Sequence, residues 1–139
     1  MKKTWFQKMQ DKPGYPKVRI LEKRFPCYNA VHKMGADVED EIILVNSSEV
    51  IPIMAGVPEG KVITLSEICG SLAEKHGVKG CWTLTTGIFI MTIANAIEEI
   101  KTQGDESPLS RIPWWRTLKT GGFLNEKYPG GQAAQKKLL

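Results

Sequence analysis

The stretch TLSEICGSLAEKHG, residues 64–77, constrains the fold more than any other part of the chain. Thr64 suits an N-cap, and Glu67 three residues later completes a capping box, in which two side chains satisfy backbone N–H groups of the first turn. Ile68, Leu72 and Ala73 recur at helical spacing with Cys69 beside them, while Glu74 and Lys75 face water. Gly77 is placed to end the helix in a left-handed conformation. After a short link comes LTTGIFIMTIANAIEEI, residues 84–100. It reads as a second helix with Thr85 or Thr86 as N-cap, apolar nearly all round until Glu98 and therefore mostly buried.

The flanking segments are shorter and less periodic. TWFQKM predicts a short helix capped by Thr4, and DKPGYPK is a turn cluster. KVRILEKRF alternates weakly and reads as extended, and residues 42–45 read as a short strand. Ser47 or Ser48 can cap a helix carrying Val50, Ile53 and Met54, ended by Gly56, with Pro52 tolerated near its first turn. IPWWRTLKTGGFL reads as a small hairpin about a Lys-Thr-Gly-Gly turn, and YPGGQAAQKKLL as a turn leading into a basic helix. Residues 1–46 thus form a basic N-terminal extension with an acidic linker. Residues 47–139 form the domain proper. The expected fold class is mostly α (α+β). Two linked helices followed by a hairpin outline a winged helix-turn-helix, although a generic small α+β domain shows the same pattern.

Charge is distributed unevenly. Residues 1–24 carry eight Lys/Arg against two acids, residues 25–100 four against ten, and residues 101–139 seven against three. Basic ends around an acidic middle are compatible with a phosphate-facing surface. Three cysteines without a C-x-x-C pair suggest neither a disulfide framework nor zinc, and with two histidines no metal or other cofactor is expected. No apolar run is long enough to span a membrane, and no apolar segment follows the N-terminal lysines. No signal peptide is expected, and the protein is expected in the cytoplasm.

Three stretches in order carry a resemblance. VPEGKVITLSEI, IPWWRTLKTGGFL and YPGGQAAQKKLL resemble, between residues 57 and 139, the DNA-binding domain of the methylated-DNA–protein cysteine methyltransferases. That family has Ile-Pro-Cys-His-Arg-Val in the second stretch. The loop over residues 101–110 is longer than is usual there, and residues 1–50 do not look like the family's N-terminal domain. The resemblance places Trp114 where the alkyl-accepting Cys would be and Trp115 where its His would be, while Pro113 and Arg116 keep the motif. An indole supplies no thiolate, so the transfer activity is absent and the chain is not expected to be an enzyme. The family's phosphate-pressing Tyr aligns with Leu65, and its Arg finger loosely with Thr86.

This combination looks like the alkyltransferase-like proteins, which bind alkylated DNA without repairing it and hand it to excision repair. The resemblance implies a lesion pocket of Pro113, Trp114, Trp115 and Arg116. It implies double-stranded DNA as the partner, contacted by Thr64, Ser66, Thr85, Thr86, Gly87, Lys119 and Lys136, with repair proteins as further partners. If extended, the two tryptophans point to opposite sides, so at least one is structural. The second helix offers few groups that read base edges apart from Asn95, so little sequence specificity is expected. Three alternatives stay open. Cys81, near a helix N-terminus and Lys79, could itself accept an alkyl group. The chain could be a helix-turn-helix regulator without lesion preference, or a protein-interaction module.

Overall fold

The computed structural model describes residues 3–10, 15–26 and 28–139. Of the turn cluster expected over residues 11–17, residues 11–14 lie outside them. The fold is α+β, with six helices and two small sheets among the described residues.

The first helix, α1 (Trp5–Gln10), is capped as expected. The Gln7 amide N–H donates to Thr4 Oγ1 at 3.1 Å, and the Thr4 N–H donates to Gln7 Oε1 at 2.9 Å. Strand β1 (Lys17–Ile20) follows, then the short helix α2 (Tyr28–Lys33) and strand β2 (Glu41–Leu44). The apolar run Ile42, Ile43, Leu44 is buried throughout, because β2 is the central strand of its sheet. Helix α3 (Ser47–Ala55) is capped by Asn46 rather than by either serine, and Asn46 Oδ1 accepts from Ser48 N and Ser48 Oγ. Because the helix starts at Ser47, Pro52 falls in its second turn and removes one internal hydrogen bond.

Strand β3 (Ile63–Thr64) leads directly into α4 (Leu65–Lys75), which has the predicted capping box and buries Ile68, Cys69, Leu72 and Ala73. Gly77 has φ +66° just past the helix end, the conformation that favours glycine there. Strand β4 (Gly80–Cys81) pairs parallel with β2, which pairs antiparallel with β1. The long helix α5 (Thr83–Thr102) starts earlier than expected, with Trp82 at its N-cap and no side-chain cap. Thr85 and Thr86 lie inside its first turns, and their hydroxyls donate back to the Trp82 carbonyl at 3.4 and 2.8 Å.

The expected hairpin does not form. Residues 108–111 and 114–116 make two tight 3-10 turns. Strand β5 (Thr117–Leu118) then pairs parallel with β3, Ile63 opposite Thr117. The Lys-Thr-Gly-Gly turn itself is present, closed by the Lys119 N–H to the Phe123 carbonyl, with positive φ at Gly121 and Gly122. Its returning limb forms no strand, and β5 is paired with β3 alone among the described residues. The last helix is α6 (Gly131–Leu138).

The main core gathers apolar residues of α1, α3, α4 and α5 with Trp114 and Tyr128. A smaller cluster of Leu21, Phe25, Val31, Ala36, Ile42 and Leu44 packs around the three-stranded sheet. The described residues before 47 are therefore interleaved with the rest. Their β2 pairs with β4, and Trp5 and Phe6 of α1 donate their N–H groups to the Glu99 carboxylate on α5 at 3.2 and 3.1 Å. No helix among the described residues is long and apolar enough to cross a membrane.

Candidate nucleic-acid interface

The Pro-Trp-Trp-Arg segment divides its side chains between core and surface. A 3-10 turn advances about 120° per residue, so neighbours diverge without being extended. Trp114 is only 1% exposed. Its Nε1–H donates to Glu98 Oε1 at 2.9 Å, and its ring meets those of Trp115 and Tyr128 edge-to-face at 5.7 and 5.2 Å. Such pairs prefer this geometry, and a buried indole N–H needs an acceptor. Trp114 therefore fills the space expected of a pocket instead of lining one.

Trp115 is half-buried. Its ring borders two clefts, one of about 570 Å³ with Lys61, Arg116 and Leu139, the other of about 560 Å³ with Lys101, Asp105 and Arg111. The Arg116 guanidinium lies 5.7 Å from the Trp115 ring and donates through Nη1 to the Val57 carbonyl at 2.9 Å. Among the described residues, Trp115 and Arg116 share one cleft, and neither of the two clefts beside Trp115 is lined by Pro113 or Trp114.

A second set of residues does meet around a groove. It lies between the N-terminal half of α5, the start of α4 and residues 119–127, with a volume of about 230 Å³. Leu65, Leu84, Gly87, Ile88 and Met91 form its apolar side, and Lys119, Asn125, Glu126 and Lys127 its polar rim. Leu84 and Ile88 are 47% and 48% exposed, against the expectation that α5 is buried nearly all round. Lys119 Nζ sits 3.3 Å from both Glu126 oxygens, an exposed pair that water and salt screen and a phosphate can displace. Helix α5 starts without a side-chain cap or an acid in its first turn, which leaves its positive end available to an anion.

The other expected contacts separate. Thr86 is fully buried, so it cannot reach a duplex. Thr85 is half-buried in the first turn of α5. Thr64 and Ser66 hold each other and Glu67 in the α4 cap, with Thr64 Oγ1 3.1 Å from Ser66 Oγ. The Glu67 carboxylate already occupies that helix end, which disfavours a second anion there. Gly87 and Lys119 line the groove, whereas Lys136 is exposed on α6, outside it. Cys81 is buried in β4 with Sγ 3.3 Å from Thr86 Oγ1. The neighbouring Cys69 sulfur and then Thr86 hold its thiol below the usual range, against the effect of burial, but no face of it is open to a substrate.

Residues 119–127 are held by a buried polar lock. Gln135 of α6 is fully buried, donates through Nε2 to the Trp115 and Thr117 carbonyls at 3.1 Å, and accepts the Asn125 N–H at 2.7 Å. The Tyr128 hydroxyl donates to the Thr117 carbonyl at 2.8 Å, and burial pushes its pKa well up, so it stays neutral. Gly130 turns the chain into α6 at φ +78°, and a Cβ there would lie 2.5 Å from the Ala134 Cβ. Asn95 of α5, a candidate base reader in the sequence, instead donates to the Lys127 carbonyl at 3.1 Å. Sequence reasoning missed Gln135, Leu84, Ile88 and Met91 as determinants of this face. The spacing of 84, 88, 91 and 95, ending on a polar Asn, was the available signal for an open stripe on α5. No protein-family model, curated protein or solved structure matches the chain.

Proposed function

We propose that the chain is a non-enzymatic duplex-DNA-binding protein of the alkyltransferase-like type, with α4 and α5 as its helix-turn-helix and no hairpin wing beside them. The observation that carries this reading is the groove beside α5, an apolar slot rimmed by Lys119 and Lys127 along an exposed crest of Leu84 and Ile88. An exposed helix flanked by cations suits a DNA groove, with lysines on phosphates and apolar side chains against base steps. The slot would receive an unstacked base or the alkyl group on it. The chemistry at Trp114 favours binding over transfer, since an indole buried on Glu98 offers no nucleophile. Repair proteins would then act on the bound DNA.

The same exposed Leu84 and Ile88 also favour a second reading, a docking face for another protein. Titration with two duplexes identical except for one methylated guanine, each at two salt concentrations, separates these readings. Tighter binding to the methylated duplex, weakening steeply with salt, is the expected result. Equal binding removes the lesion preference and leaves a general DNA binder. No binding to either duplex sinks the DNA reading and favours the protein-docking face.

A further inference from the structure

Helix α5 has cations on both of its flanks, and the groove accounts for only one of them. At 3.6 residues per turn, Ile88 stands between the groove side, with Gly87 and Met91, and the opposite side, with Thr85 and Phe89. On that opposite side the Tyr15 ring meets Phe89 edge-on at 6.2 Å, and Lys17 Nζ lies 5.1 Å from the centre of the Tyr15 ring. All four residues of β1 are exposed. The Arg19 guanidinium lies 5.7 Å from the Phe25 ring, and Phe25 stacks at 4.9 Å and 11° on Trp82, the residue at which α5 begins. Lys17 and Arg19 are thus each tied through aromatic rings to the N-terminal half of α5. Residues 15–25 hold Lys17, Arg19, Lys23 and Arg24 against one acid, Glu22, which is engaged by Arg24 at 2.8 Å. The carboxylate residue of β2, Glu41, is opposite Ile20, next to Arg19 in register but on the other face of the strand from Lys17 and Arg19.

A helix lying in a DNA groove has one phosphodiester strand on each side of it. We infer that β1 is a second phosphate clamp, with Lys17 and Arg19 holding one DNA strand while Lys119 and Lys127 hold the other across α5. This inference rests on the reading of α5 as the DNA-contacting helix. It gives the basic N-terminal segment a place in the complex, and the cation–ring contacts pre-position charges that would otherwise sample many rotamers.

The test compares Lys17→Gln/Arg19→Gln with Lys119→Gln/Lys127→Gln, after circular dichroism has confirmed each fold. Each is titrated with a labelled duplex across a salt series and then mapped by phosphate-ethylation interference. Each lost phosphate contact removes about 0.9 from the slope of log affinity against log salt, so each pair flattens it by about 2. The first variant is expected to lose interference on one strand and the second on the other. An unchanged slope and pattern for Lys17→Gln/Arg19→Gln overturns the clamp and leaves the α5 reading standing. A flattened slope for that variant alone also overturns the clamp, because β1 is then a separate nucleic-acid surface and the α5 reading fails. A wild-type chain that binds no duplex overturns both.

Discussion

The C-terminal lock and the N-terminal half of α5 treat their large side chains in opposite ways. The Trp114 indole N–H, the Tyr128 hydroxyl and the Gln135 amide are each buried with a hydrogen-bond partner. The N-terminal half of α5, by contrast, begins without a side-chain cap and leaves Leu84 and Ile88 about half exposed. A buried polar network is destabilising when half satisfied and confers one geometry when complete. The difference teaches that the lock fixes residues 119–127 in place beside a helix face that stays about half exposed.

The largest expected effect is on the lock. Trp114→Ala removes a fully buried ring and should cost about 3–5 kcal/mol in chemical denaturation. A cost near zero would mean that Trp114 is not part of the core. Gln135→Ala leaves the Asn125 N–H without its acceptor and should cost about 1–3 kcal/mol. It should also weaken DNA binding more than Lys136→Gln does, since it frees the loop that carries Lys119 and Lys127. Thr64→Ala, which breaks the α4 cap, should cost about 1 kcal/mol on thermal or chemical unfolding. On the other side of the comparison, Leu84→Ala and Ile88→Ala should each change stability by less than about 0.5 kcal/mol while lowering DNA affinity. A large stability loss there would turn the crest into ordinary core.

The smallest effect concerns pH. Lys75 at 2.6 Å, with His76 at 3.4 Å adding less, holds the Glu49 carboxylate below its usual range. A carboxylate depressed in the folded state stabilises above its unfolded pKa, and that contribution is lost as pH falls through the folded value. Glu49→Gln should therefore flatten the acid limb of a stability–pH curve; an unchanged limb would assign it to other groups.

The helices were legible where a local rule decided them. The box at Thr64 and Glu67, the cap at Thr4 and the stop at Gly77 depend on neighbours in sequence, and the structure has all three. The start of α5 was misplaced because a threonine hydroxyl can bond a carbonyl one turn back as readily as it can cap. The hairpin was expected because its turn is local, but the pairing of β5 with β3 joins segments more than fifty residues apart. The candidate site failed in the same way. Trp114 was expected to line a pocket because the resemblance put it at the alkyl-acceptor position, while its burial is set by Glu98 and Tyr128, and the groove draws on three separate segments.

The most direct measurement is a titration of duplex DNA with the wild-type chain and with Leu84→Glu/Ile88→Glu, at two salt concentrations and with matched unfolding curves. The account predicts that the wild type binds with affinity falling steeply as salt rises, and that the variant loses at least about tenfold while unfolding at the same point. Equal affinity for the two chains, or binding that ignores salt, would contradict the claim that the open face of α5 is where this protein meets DNA.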